Sequence, residues 1–179
     1  MLVSTVTSGA YKFVKLLHIL TAIVGFGAVF LNGIYASRAK KGLGTPGGAA
    51  VAEANSWVTW KVAEYVIYAV FVLGLALVGM SGKIWKFSQG WIGASMGLYI
   101  VGLALVHAVL RPADKRMLAI QAQLVDGGSG ADAQALAAEY DNLYRRAAVV
   151  GGVLNVLLVV IVVLMVFKPG GGAAATSGI

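Results

Sequence analysis

Residues Ala147–Phe167 read AAVVGGVLNVLLVVIVVLMVF, 21 consecutive positions with a single polar side chain, Asn155, and no charge. About 20 helical residues, at a rise of about 1.5 Å each, cross a hydrocarbon layer of about 30 Å. Three further runs share this character: Phe13–Tyr35, Val62–Met80 and Trp91–Leu110. Four such runs in 179 residues, with 59% hydrophobic and only 12% charged residues and a mean hydropathy of +0.85, lie outside soluble composition. The chain reads as a polytopic membrane protein.

The expected fold is all-α, an up-and-down bundle of four transmembrane helices. Residues 1–168 form one membrane domain with helices at about 13–35, 62–80, 91–110 and 147–167. A helical hairpin at 111–146 extends from the cytoplasmic side between helices three and four, and 169–179 is expected to be a disordered tail. The first apolar run is too long for a signal-peptide core and is followed by Arg38, Lys40 and Lys41, so it is expected to be retained. The chain has no cysteine, which excludes disulfides, thiolate metal sites and iron–sulfur clusters. The formal charge of +7 does not signal nucleic acid, because the basic residues cluster at the ends of the apolar runs. There they meet lipid headgroups and set orientation.

Side A, which carries the N-terminus, has Lys12, Lys15, Lys83, Lys86 and Lys168. Side B has Arg38, Lys40, Lys41, Lys61, Arg111, Lys115, Arg116, Arg145 and Arg146. Nine against five places side B in the cytoplasm and both termini outside a bacterial inner membrane. Trp57 and Trp60 on side B, with Trp85 and Trp91 on side A, are expected in aromatic belts. The alanine-rich stretch after Gly42-Leu-Gly-Thr-Pro-Gly-Gly48 suits a short interfacial helix. Pro112 suits the first turn of a helix, Ser129 and Asp132 have capping-box spacing, and the helix that follows is expected to run unbroken into the fourth span. Gly93-Ala-Ser-Met-Gly97 has GxxxG spacing, which permits close helix approach.

Polar residues inside the spans are the candidates for chemistry. His18, Ala22, Gly25, Val29 and Asn32 share one face of the first span, expected to point into the bundle. His18 and His107 fall roughly 15 Å or more apart in depth, which speaks against their sharing one haem. At the level of His18 lie Met96, Tyr99, Met80 and Met165. A haem b bound by His18 with or without Met96, or a copper ion held by thioethers, fits that donor set. The plainer reading is a histidine bonded to a backbone carbonyl or to Tyr99, with methionine as core filler. Asn32, Glu64 and His107, with Tyr65 and Tyr68 near the acid, form a second candidate group for proton relay or a divalent ion. Against it stands a Glu64 that snorkels toward Lys61. Asn155 is expected to bond another helix.

The pattern Lys15-Leu-Leu-His18-Ile-Leu-Thr-Ala-Ile-Val-Gly-Phe-Gly27, with Arg38-Ala-Lys-Lys41 after it, resembles a bacterial family of small predicted integral membrane proteins of unassigned function. The ending Leu164-Met-Val-Phe-Lys-Pro169 is similar to the close of the fourth helix in that family. More distantly, a histidine early in helix one before a glycine-bearing face is similar to HemJ-type protoporphyrinogen oxidases and CopD-type copper proteins. That resemblance implies a haem-ligand role for His18 alone. The lysine that the HemJ type carries in helix three has no counterpart between Trp91 and Leu110, so the implication stops at haem binding. The expected function is therefore a non-enzymatic membrane protein, an accessory or structural subunit that contacts copies of itself or other membrane proteins. A candidate haem b or copper site lies at His18. The alternatives are a haem-b redox protein of the HemJ or cytochrome b class, and a proton or ion pathway through Glu64 and His107.

Overall fold

The computed structural model describes residues 6–127 and 130–171. Its helices are α1 (Gly9–Lys41), α2 (Pro46–Val58), α3 (Glu64–Met80), α4 (Gly90–Leu105), α5 (Arg111–Val125) and α6 (Gly130–Phe167). Two π-helical segments, Thr59–Ala63 and Val106–Leu110, join α2 to α3 and α4 to α5. The helical paths Gly9–Lys41, Pro46–Gly79, Gly90–Val125 and Gly130–Phe167 are each long and apolar enough to cross a membrane. No strand occurs among the described residues. The helices outrun the apolar segments because a helix does not stop where hydrocarbon ends. The 33 residues of α1 reach about 50 Å, well beyond a core of about 30 Å. Ser129 and the tail from residue 172 onward, for which a capping role and disorder were expected, lie outside the described residues.

The π segments have local causes. Pro112 lacks an N–H, and its ring crowds the carbonyl four residues earlier. The Arg111 N–H reaches back to the Val106 carbonyl, so the wider turn sits directly before the proline. Pro112 stands in the first turn of α5, as its helix-start preference suggests, and the π segment carries the helical path from α4 into it. At the other segment, the Thr59 hydroxyl donates to the Asn55 carbonyl at 2.7 Å, competing with the regular ladder.

The chain packs as two compact units. The first comprises Met1–Gly27, Ala63–Val101 and Val156–Ile179, and the second Ala28–Val62 and Gly102–Asn155. All five side-A lysines fall in the first and all nine side-B basic residues in the second.

In the first unit, Val6, Tyr11, Trp85, Trp91 and Ile92 form a buried cluster. Leu77, Val78 and Met80 of α3, Met96 of α4 and Leu164 of α6 pack against it, so all four spans share one plug. Trp85 and Trp91 are thus core residues and not the aromatic belt expected for them. Trp85 stands edge-on to Trp91 with ring centroids 5.5 Å apart and donates its Nε1–H to the Tyr11 hydroxyl at 3.1 Å. Ser81, fully buried, donates to the Val78 carbonyl at 2.7 Å and accepts from the Trp85 N–H at 3.0 Å, which pins the α3–α4 turn. Lys168, whose ammonium lies 4.6 Å from the centre of the Trp85 ring, has its pKa lowered by burial and then by Lys15.

In the second unit, Thr45 caps α2 by accepting from the Gly48 N–H at 3.1 Å, with Pro46 in the first turn. Gly48 is buried on the turn that follows α1. A Cβ there would strike the Gly42 carbonyl, a backbone group with no side-chain freedom to yield, so glycine is required. Gln121 of α5, 1% exposed, donates to the Gly42 carbonyl at 3.1 Å and accepts from the Gly44 N–H at 3.4 Å. One buried amide thereby satisfies the connector between α1 and α2. Trp57 is 61% exposed.

Candidate functional site

His18 lies on α1 in the first unit and reaches α3. Its Nδ1 is 3.0 Å from the Val70 carbonyl, and a carbonyl only accepts, so Nδ1 carries the proton. In the neutral ring the lone pair is then on Nε2, the tautomer that ligation through Nε2 requires. The ring lies against Gly74, where a Cβ would come within 3.3 Å of His18 Cε1. Seven residues further along α1, a Cβ on the buried Gly25 would meet Val66 and Ile67 at 3.3 to 3.4 Å. The glycine-bearing face of α1 is therefore the face that meets α3, as its pattern requires.

Tyr99 of α4 also bonds to α3: its hydroxyl donates to the Ile67 carbonyl at 2.9 Å and its ring stacks on Phe71 at 4.8 Å. Met96 packs against the tryptophan cluster. The residues at the level of His18 thus supply one imidazole nitrogen, while the Tyr99 hydroxyl is engaged with a carbonyl and Met96 is engaged in packing. That donor set fits a haem held on one side by His18 alone. Met80 and Met96 pack together against the tryptophan cluster.

The second candidate group is divided between the two units, Glu64 in the first and Asn32 with His107 in the second. Glu64, half-buried, accepts from the Tyr68 hydroxyl one turn along α3 at 2.9 Å. Asn32 is committed to α2 and the segment after it. Its Nδ2 donates to the Thr59 hydroxyl at 3.0 Å and its Oδ1 accepts from Asn55 at 2.9 Å. His107 lies within a π segment and is exposed. Among the described residues no three His, Asp or Glu side chains gather as a metal site. Asn155 departs from its expected role. Its Oδ1 is buried without a hydrogen-bond donor, as is the Trp91 Nε1–H without an acceptor.

Residue reading overlooked the strongest polar cluster in the second unit. Asp114 of α5 accepts from the Ser56 hydroxyl and the Trp60 Nε1–H, both at 2.6 Å, and Arg111 lies 5.3 Å over the Trp60 ring. The signal was available in part. Asp114 follows Pro112 in the first turn of α5, where an acid reads as dipole complement, and its partners lie more than fifty residues earlier. Gln121 was legible too, as the one polar residue beside the buried Ala113 and Ile120 on the same helix. Exposed ion pairs complete the unit: Arg116 with Glu139 at 2.6 Å and Lys40 with Asp141 at 3.1 Å.

Fold and polar geometry together define a four-span, all-α integral membrane protein. The chain belongs to the DUF2269 family of predicted integral membrane proteins, whose family model matches residues 12–169. Comparison with curated proteins and with solved structures returned no match.

The two kinds of polar contact differ in worth. Interhelical hydrogen bonds in membranes contribute about 0.6 kcal/mol on average, whereas bonds to a charged group contribute about 1.5–3 kcal/mol. Asp114→Ala is expected to lower unfolding stability in detergent by more than Tyr99→Phe does, as measured by denaturant titration. An equal or reversed order would remove Asp114 as the main polar tie between α2 and α5.

Proposed function

We propose that this chain is a non-catalytic subunit of a larger bacterial membrane assembly, docking to its partner through α4. The observation that carries this reading is the outward setting of Gly93-Ala-Ser-Met-Gly97. Both glycines are exposed, nothing among the described residues lies within 4 Å of a Cβ placed at Gly97, and Ile100 and Val101 beyond it are 57% and 51% exposed. A GxxxG face in lipid has value where a second backbone approaches it, because dispersion between helices replaces the absent hydrophobic drive. Further support comes from the use made of the polar residues in the spans. His18, Tyr99 and Asn32 each hold one segment to another. Side B faces the cytoplasm in this reading, on the nine-to-five basic count.

A second reading rests on the His18 tautomer. Nδ1 bonded to the Val70 carbonyl fits an imidazole that offers Nε2 to a haem b iron, with the carbonyl orienting the ring. A bound haem would supply one-electron chemistry. The chain's own contribution would be the ligand and its orientation by α3.

Three measurements separate these readings. Affinity purification from native membranes in mild detergent is expected to recover a partner at fixed stoichiometry, and Gly97→Ile to lose it while the chain's own melting temperature holds. Recovery unchanged in Gly97→Ile would rule out docking through α4. An absorption spectrum of the purified chain, oxidised and then reduced with dithionite, is expected to be featureless in the Soret region. A Soret band that shifts on reduction and vanishes in His18→Ala would establish the haem reading instead. For orientation, Ser88→Cys is expected to react with an impermeant maleimide in intact cells and Ala131→Cys only after permeabilisation. The opposite pattern would invert the topology.

A further inference from the structure

We infer that the side-B end of α1 holds the headgroup of an anionic phospholipid. A groove of about 390 Å³ is lined by Gly33, Ile34, Ser37, Arg38 and Lys41. These positions fall one turn apart along one face of the helix. The basic residues around this groove divide sharply by partner. Lys40 is held by Asp141 at 3.1 Å and lies 4.5 Å over the Tyr144 ring. Arg38 and Lys41 on the groove face take no acid, and Ser37 gives its hydroxyl to no acceptor, among the described residues. Two cations and a hydroxyl thus line one groove.

Those three groups match a phosphate diester. Arg38 offers a planar fork of donors, Lys41 a compact ammonium and Ser37 a neutral hydroxyl. The apolar part of the same helix face selects a lipid over free phosphate. Below the cations, a Cβ at Gly33 would meet nothing within 4 Å among the described residues, and Ile34 of the lining and Phe30 one turn before it are 60% and 50% exposed. The groove therefore continues as an apolar track toward the hydrocarbon, along which an acyl chain runs while its headgroup stays among the donors. Phosphate alone has no use for that track. A zwitterionic headgroup would bring its own ammonium beside Arg38 and Lys41, so the site favours lipids with net negative charge.

The test is native mass spectrometry of the full chain released from detergent, with phosphatidylglycerol, phosphatidylcholine or inorganic phosphate added. The expected result is one retained phosphatidylglycerol, held in preference to phosphatidylcholine and not displaced by phosphate. Arg38→Ala with Lys41→Ala should weaken retention on the order of ten- to thirty-fold. Lys115→Ala, an exposed basic residue of the same unit outside the groove, should leave retention unchanged. Gly33→Leu keeps every charge and replaces glycine with a better helix former. It should weaken lipid retention by occupying the track, and it keeps the test decisive where the double variant fails to fold. Retention unaffected by the double variant, or reduced as much by Lys115→Ala, would replace the site with diffuse surface charge. Displacement by inorganic phosphate, or indifference to Gly33→Leu, would make it a phosphate site and overturn the lipid assignment.

Discussion

Hydrocarbon supplies no hydrogen-bond partner, and this single constraint organises the molecule. An unsatisfied polar group there costs several kcal/mol, while a bond formed between helices returns on average about 0.6 kcal/mol. The bonds avoid a cost more than they drive folding, with Asn155 Oδ1 and the Trp91 Nε1–H as exceptions. His18 and Tyr99 meet the requirement by reaching two carbonyls one turn apart on α3, those of Val70 and Ile67. Asn32 meets it by exchanging both ends of its amide with Asn55 and Thr59. Close packing then follows where glycine allows it, as at Gly25 and Gly74 against their neighbours.

Water changes the accounting in the second unit. Its exposed pairs hold α5 to α6 and α1 to α6 at little net gain, because solvent and salt screen them. The hydrogen bond between Arg116 and Glu139 raises the pKa of the arginine and lowers that of the glutamate. The Glu139 carboxyl therefore contributes above the ordinary glutamate range, and its share is lost as pH falls through its lowered pKa. The buried Gln121 and the half-buried Asp114 matter more. Gln121 closes the α1–α2 connector and Asp114 joins α5 to Ser56 and Trp60, each from a position where a lost partner would strand a polar atom.

The fold was legible because lipid demands long apolar runs, and all four stand out in the sequence. The unbroken run of α6 from Gly130 to Phe167 was equally legible, since no proline lies between Asp132 and Phe167 and the apolar run carries the helix across Gly151 and Gly152. Ends and roles were harder. The π segment before Pro112 depends on a helix choosing to continue through a proline, which local preference does not reveal. Trp85 and Trp91 have the composition of an interfacial belt, and only tertiary packing shows them closing the first unit around Tyr11. The candidate site was half legible. The inward face of α1 followed from its periodicity, whereas the engagements of Met96 and Tyr99 depend on rotation of α4. That same rotation turns Ser95 inward and leaves Gly93 and Gly97 open.

The outward face of α4 is where the account is most exposed to refutation. Photo-crosslinking in intact native membranes, with the reactive side chain at Ala94, Ile100 or Val101 and a control at Val24 on α1, reads that face directly. The expected result is a discrete protein adduct from the α4 positions and lipid adducts alone from Val24. Lipid adducts alone at all four positions, or protein adducts of equal yield from α4 and α1, would contradict docking through Gly93 and Gly97.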